Sequence, residues 1–161
     1  MIIAATGHRP DKLGGYGDDA LARLQALADN YFRKLGAPDA EIEAVSGMAQ
    51  GWDTAWALAA LGLDIPLICA IPFEGQEKPW PAAAQERYHD ILAKAWHVQV
   101  VCRGSYADRK FQERNVWMVD RCDRLAALWN GSEGGTANCV KYAESKERPI
   151  DHLWAQWSTG G

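Results

Sequence analysis

Short apolar runs in this chain repeatedly stop at loops rich in glycine, proline or small polar residues, and most of these loops lead into a segment with helical periodicity. Ile2 to Thr6 is the first run, and Asp18/Asp19 then offers a cap to a helix whose face is Leu21, Leu24, Ala28, Tyr31 and Leu35. Glu41 to Ser46 reads as a second strand, edge-like because of Glu41 and Glu43, and a helix from about Ala49 to Leu61 follows. Ile65 to Ile71 is a third strand, closed by Pro72, and Pro81 suits the first turn of a helix that turns Tyr88, Ile91, Leu92 and Ala95 inward. His97 to Cys102 is a fourth strand. Ser105 or Asp108 then caps a helix carrying Phe111, Asn115, Met118, Val119 and Cys122 on one side. Arg124 to Trp129, Thr136 to Ser145 and Pro149 to Leu153 complete the pattern as strand, helix and strand. Such alternation predicts βαβ units. The expected fold is therefore α/β: a three-layer, Rossmann-like domain spanning residues 1–161, with a mostly parallel sheet of five to six strands and helices on both faces.

Composition narrows the function classes. With 17 Lys+Arg against 21 Asp+Glu the formal net charge is −4, which weighs against a duplex nucleic-acid binder. The longest apolar run, Ala55 to Leu63, is far shorter than the roughly 20 residues of a membrane helix. The first residues lack the basic flank and cleavage pattern of a signal peptide, so the expected location is cytoplasmic. Cys69, Cys102, Cys122 and Cys139 form no CxxC and no zinc-finger pairing with histidine, and they read as reduced, buried thiols. No metal site and no cofactor is expected. The 8 tryptophans are scattered and suit a core or a subunit contact, hence an expected homodimer or homotetramer.

In parallel sheets of this kind, ligands bind beyond the carboxyl ends of the strands. The loops there carry the chemistry. Gly134-Gly135-Thr136 opens the fifth helix, where free N–H groups and the helix dipole attract phosphate, and Ser132 adds a hydroxyl beside Asn130 and Gly131. There is no GxxxxGK[ST] P-loop and no GxGxxG after the first strand. Ser46-Gly47-Met48-Ala49-Gln50-Gly51-Trp52-Asp53 is a second strand-to-helix loop, in which Asp53 either caps the helix or holds a ribose hydroxyl and Met48 either packs or lines the site. Thr6-Gly7-His8-Arg9-Pro10 sets a hydroxyl, an imidazole and a guanidinium after a buried strand. Glu74 follows Pro72 and Phe73 as a ribose acceptor, a base or a solvated carboxylate. Asn115, an amide on an apolar helix face, either ties loops together or reads a ligand.

Taken in order, Thr6-Gly7-His8-Arg9-Pro10, Ser46 to Asp53, Pro72-Phe73, Arg114-Asn115-x-x-Met118-Val119-Asp120 and Trp129-Asn130-Gly131 with Gly134-Gly135-Thr136 resemble the YpsA-type branch of the SLOG superfamily. That superfamily includes LOG-type nucleoside-monophosphate phosphoribohydrolases, the DNA-processing protein DprA and nucleotide-sensing domains. The resemblance implies a Rossmann-like fold and a nucleotide or ADP-ribose-like ligand over the strand ends. The LOG-type run Gly-Gly-x-Gly-Thr-x-x-Glu supplies a carboxylate for N-glycosidic cleavage. Here Cys139 falls at that Glu position, which a thiol cannot replace at an oxocarbenium-like centre.

Three readings follow. The first is a binding protein for a nucleotide-like small molecule, with phosphate on Gly134, Gly135 and Thr136, Arg9 as countercharge, and Ser46, Asp53 and Glu74 toward ribose. If His8 touches phosphate, its pKa is expected to rise above the usual value of about 6.5. The alternative is an N-glycosidase on nucleoside 5'-monophosphates, with Glu74 as carboxylate and His8 as proton donor. The third, single-stranded nucleic-acid binding as in DprA, is disfavoured by the acidic balance.

Overall fold

A computed structural model describes residues 1–160. Six strands form one sheet: β1 (Ile2–Gly7), β2 (Glu43–Ser46), β3 (Leu67–Ile71), β4 (His97–Val100), β5 (Arg124–Leu128) and β6 (Ile150–His152). Their order across the sheet is β4-β3-β2-β1-β5-β6, and every pairing is parallel. The connecting helices are α1 (Asp18–Lys34), α2 (Trp52–Gly62), α3 (Ala82–Lys94), α4 (Arg109–Arg121) and α5 (Gly135–Ser145), and a short α6 (Trp154–Thr159) closes the described chain. The three-layer α/β expectation is met.

Burial of both sheet faces explains why β1 reads as a continuous apolar run: Ile3, Ala4 and Ala5 have no exposed surface. One face packs against α1, α2 and α3, with Phe32 and Trp56 ring centroids 4.2 Å apart. The other packs against α4 and α5 through Met118, Val119, Cys122, Cys139 and Ala143. Alanines at positions 55, 57, 59 and 60 make α2 slim enough to lie between α1 and the sheet.

Three details depart from the pattern read above. β2 is an interior strand between β1 and β3, since Glu41 precedes it and Glu43 sits at its open end, where a carboxylate stays partly solvated. α2 starts at Trp52 rather than Ala49, because Met48 (φ 61°) and Gly51 (φ 89°) hold the preceding loop in left-handed conformations. Pro81 stands just before α3 rather than inside its first turn. Of the tryptophans, Trp52 and Trp56 are fully buried, whereas Trp96 is 70% exposed beside the edge strand β4.

Candidate functional site

Strand order reverses between β1 and β5, and crevices of doubly wound sheets open at that switch point. The crevice here has two compartments. A narrow one, of about 280 Å³, is bounded by Thr6, Gly7, His8, Asp53, Arg114 and the start of α5. A broad one, of about 880 Å³, extends over the ends of β3 and α4 past Phe73, Glu74, Trp80, Tyr106 and Phe111. Arg9, Ala49, Phe111, Asn115 and Gly135 line both, so the two are continuous.

The start of α5 forms one wall. Its first backbone bond runs from the Asn138 N–H to the Gly134 carbonyl, at 3.0 Å. Ahead of it, the N–H groups of Gly135, Thr136 and Ala137 have no protein partner among the described residues, as a helix start leaves them. Gly134, Gly135 and Thr136 all border the narrow compartment. The Asn115 side-chain amide reaches the Gly135 carbonyl at 3.5 Å and so ties α4 to this wall.

Arg114 stands opposite, only 6% exposed. Its Nη1 donates to the Gly47 carbonyl at 2.6 Å and its Nε to Asn115 Oδ1 at 3.0 Å, while the second terminal nitrogen has no protein partner among the described residues. Asp53, also 6% exposed, accepts the Ala49 N–H at 3.3 Å through one oxygen and leaves the other without a donor. The two side chains form no ion pair within 4 Å. Burial pushes the Asp53 carboxyl up to about 6, and the cationic field of Arg114 and Arg9 offsets only part of that. Burial likewise holds the Arg114 guanidinium below its ordinary value.

His8 lines the narrow compartment but is already engaged. The Asn130 backbone N–H donates to its Nε2 at 3.0 Å, which requires that nitrogen to be unprotonated. Burial lowers its pKa, contrary to the rise expected of a phosphate contact. The ring is a neutral acceptor holding the β5–α5 loop, and the proposed proton donor has no proton on the nitrogen so used. Gly7 lies flat on Trp52, where a Cβ would come within 2.5 Å of the indole.

Several other expected ligand residues turn inward or serve the loops. Ser46 Oγ donates to the Asp53 carbonyl at 2.8 Å and accepts the Met48 N–H at 3.1 Å. Gly47 lies under Arg114, and Met48 is fully buried packing. Gly51 abuts the His8 carbonyl, and Pro72 is buried outside both compartments. Ser132 and Asn130 satisfy each other: Asn130 Oδ1 accepts from the Ser132 N–H at 2.9 Å and from its hydroxyl at 2.5 Å, with Gly131 making the turn. Lys12 Nζ also donates to Ser132 Oγ, so this hydroxyl is committed to the loop. These residues shape the walls; Thr6, Arg9, Asp53, Phe73, Glu74, Asn115, Gly134, Gly135 and Thr136 face the crevice.

A family model described as the YspA SLOG family matches residues 3–156. The chain belongs to this family. The uncharacterized SPbeta prophage-derived protein YoqJ of Bacillus subtilis (strain 168) is 32% identical over 127 residues, covering 68% of this chain and 73% of that protein. A UPF0398 protein of Bacillus pumilus is 31% identical over 162 residues, covering 94% and 87%. Among solved structures, DprA of Streptococcus pneumoniae superposes with a TM-score of 0.65 at 19% identity, covering 93% of this chain and 49% of that one. DprA of Helicobacter pylori, described for its single-stranded DNA binding mode, gives 0.67 at 18% identity, covering 94% and 64%. This SLOG chain thus shares the DprA fold while spanning about half the length of the pneumococcal protein.

Cys139 on α5 is fully buried and its thiol is pushed up to about 12 by that burial, so it stays protonated and offers no thiolate to the cleft. The charged residue that dominates the narrow compartment, Arg114, was not singled out as a ligand from sequence alone. Its signal was available: it lies three residues after Phe111 and four before Met118, on the same buried side of α4. Lys12 and Asp11 at the rim carried no such signal, since they belong to a short turn, Pro10–Lys12.

Proposed function

We propose that this protein binds a nucleotide or nucleotide-derived metabolite, with phosphate on the α5 amides and the nucleoside toward the broad compartment. The observation that carries this reading is the pairing of three unpartnered N–H groups at the start of α5 with the unpartnered edge of the buried Arg114, across one narrow cleft. Arg9, exposed at the junction of the compartments, adds a countercharge. Asp53 and Asn115 are the polar groups within the same cleft that suit sugar hydroxyls. Phe73, Tyr106 and Phe111 meet edge to face around the broad compartment, at centroid distances of 5.6 to 6.1 Å, and offer an aromatic wall to a base.

Thermal shift against a panel of nucleoside mono- and diphosphates tests the reading. Ligand at 100 times its dissociation constant stabilises by about 2.7 kcal/mol. Gly135→Asp separates binding from folding. A Cβ at Gly135 meets nothing within 4 Å, and a carboxylate at a helix start suits the dipole, so the ligand-free variant keeps its stability. The same carboxylate repels phosphate, so the ligand-induced shift disappears. A Gly135→Asp variant with the wild-type shift rules out the phosphate seat.

One observation favours a second reading, a nucleoside-monophosphate N-glycosidase. Asp53 is a buried carboxyl, pushed up to about 6, within the cleft that holds the phosphate seat, and a group poised near neutrality suits acid–base work. Glu74, the other carboxylate near the crevice, is exposed on the wall of the broad compartment. Incubation with AMP would then release adenine and ribose 5-phosphate with uptake of one water. Activity lost in Asp53→Asn and kept in Glu74→Gln would assign the carboxylate; no free base from any monophosphate would leave binding alone.

A further inference from the structure

The two compartments of the crevice differ in where hydrogen-bonding groups are left open. In the narrow one, two buried side chains keep an open position: the second terminal nitrogen of Arg114 and one carboxylate oxygen of Asp53. Each residue is 6% exposed, and both stand in the same cleft as the free N–H groups of α5. Water reaches these side chains poorly. A ligand that occupies the cleft and leaves either of them unpaired therefore incurs the desolvation penalty of that group.

The broad compartment is built the other way. Of its polar side chains only Gln76 and Asn115 are buried. Gln76 Nε2 donates to the Gly47 carbonyl at 3.2 Å and to the Tyr88 hydroxyl at 3.4 Å. Asn115 Nδ2 donates to Gln112 Oε1 at 3.2 Å and to the Gly135 carbonyl at 3.5 Å, and its Oδ1 accepts from Arg114. Both amide nitrogens are thus fully used. The Gln76 carbonyl oxygen remains without a protein donor among the described residues, and each of the four common bases carries an N–H that suits such an acceptor. The other polar groups, Glu74, Lys78 and Asp108 among them, are exposed or half-buried, so water pairs them whichever base is present.

We infer that the protein selects its ligand by the sugar phosphate and accepts any of the common bases. The inference rests on the nucleotide-binding reading above and names the ligand class within it: ribonucleoside 5'-phosphates as a group, with ribose 5-phosphate as their shared core. Phe73, Tyr106 and Phe111 give the base a stacking wall, which is tolerant because every base has a π-face. Discrimination follows the buried polar groups. A site that hydrogen-bonds a ligand hydroxyl rejects the analogue lacking it by about 10⁴-fold or more, whereas an apolar pocket separates similar ligands by only about 10–200-fold. Here the first kind of site faces the sugar phosphate and the second faces the base.

Titration calorimetry of the intact chain with AMP, GMP, CMP, UMP and ribose 5-phosphate tests this. The affinities for the four nucleotides are expected to lie within about 200-fold of one another, and ribose 5-phosphate is expected to displace AMP. Removing both ribose hydroxyls, in 2',3'-dideoxyadenosine 5'-phosphate, is expected to cost more than any change of base. Tyr106 is 64% exposed and lines only the broad compartment, so Tyr106→Ala should fold normally. That variant is expected to weaken all four nucleotides by a similar factor and to leave ribose 5-phosphate binding unchanged. A wider spread among the bases, a Tyr106→Ala loss confined to one base, a dideoxynucleotide that binds like AMP, or a ribose 5-phosphate that cannot displace AMP would each overturn the assignment while leaving the phosphate seat in place. Failure of every one of these compounds to bind would overturn the seat as well.

Discussion

Asp53 is held in surroundings that favour its acid form. It lies beneath the narrow compartment with one carboxylate oxygen lacking a donor, and burial outweighs the attraction of Arg114. A rise from 3.8 to about 6 corresponds to ~3 kcal/mol by which the ionised form destabilises the folded chain. The folded protein therefore holds this proton more tightly than the unfolded one. Stability contributed by Asp53 is present at low pH and is lost as pH rises between about 4 and about 6. Asp53→Asn keeps the shape and the acceptor for the Ala49 N–H but removes the charge. Urea unfolding at several pH values should show the variant gaining on the wild type across that interval, with a plateau of up to ~3 kcal/mol above pH 7. A pH-independent difference would show Asp53 to be ionised without cost. A carboxylate that weakens the empty fold yet faces the crevice is what a ligand-binding role predicts. His8 slopes the other way: its lowered pKa means that stability is lost as pH falls below about 6.5, so taking the difference between variant and wild type isolates Asp53.

At the level of the element, the β2–α2 loop shows how one glycine-rich turn serves two purposes. A Cβ at Gly47 would lie 2.5 Å from Arg114 Nη1, the far end of a flexible side chain, whereas one at Gly51 would lie 2.6 Å from the His8 carbonyl, at a φ of 89° that only glycine tolerates well. Gly47→Ala should therefore leave the melting temperature nearly unchanged and weaken phosphate-ligand binding by displacing the guanidinium. Gly51→Ala should cost more than ~1 kcal/mol of stability by pushing the β1 and β2 loops apart. Equal effects of both on stability would mean that Arg114 cannot yield. The alternation of elements was plain in the sequence because β1, β2, β3 and β5 are buried on both faces and the loops break with glycine or proline. The interior position of β2 was obscured by Glu41 and Glu43, which signal an edge although strand ends stay wet. α6, with Trp157 buried under α1, carried too few residues to show a period. The site was half visible: the strand-end loops announce themselves, but which hydroxyl or imidazole faces the crevice depends on partners distant in sequence. His8 is claimed by Asn130, 122 residues away. Arg114 becomes legible only through its helix neighbours: a charged residue reads as solvent-facing until Phe111 and Met118, three and four positions away, are taken as one apolar side.

For the whole molecule the remaining choice is between a small ligand and a polymer, since the fold is shared with DprA proteins, one of them described for binding single-stranded DNA. A strand of nucleic acid requires a cationic track along which successive phosphates are neutralised. The crevice has no such track among the described residues that line it. Arg114 is buried, and at the rim Arg9 and Lys12 are matched by Asp11 and Glu133 around the narrow compartment, Lys78 by Glu74 and Asp108 around the broad one. With a total of −4 the long-range field repels a polyanion, while a single phosphate group in the proposed seat would be held by short-range amides and one guanidinium that salt screens poorly. Two titrations separate these cases. Fluorescence anisotropy with a labelled oligothymidylate should show no binding at physiological salt, and binding of a nucleoside phosphate should weaken only slightly between about 50 mM and 200 mM salt. A protein that held several phosphates of a strand would instead lose about a thousandfold or more in affinity over that range. Such a loss, with the oligonucleotide competing for the same site as the mononucleotide, would replace the small-molecule reading with a polymer-binding one built on the same α5 amides.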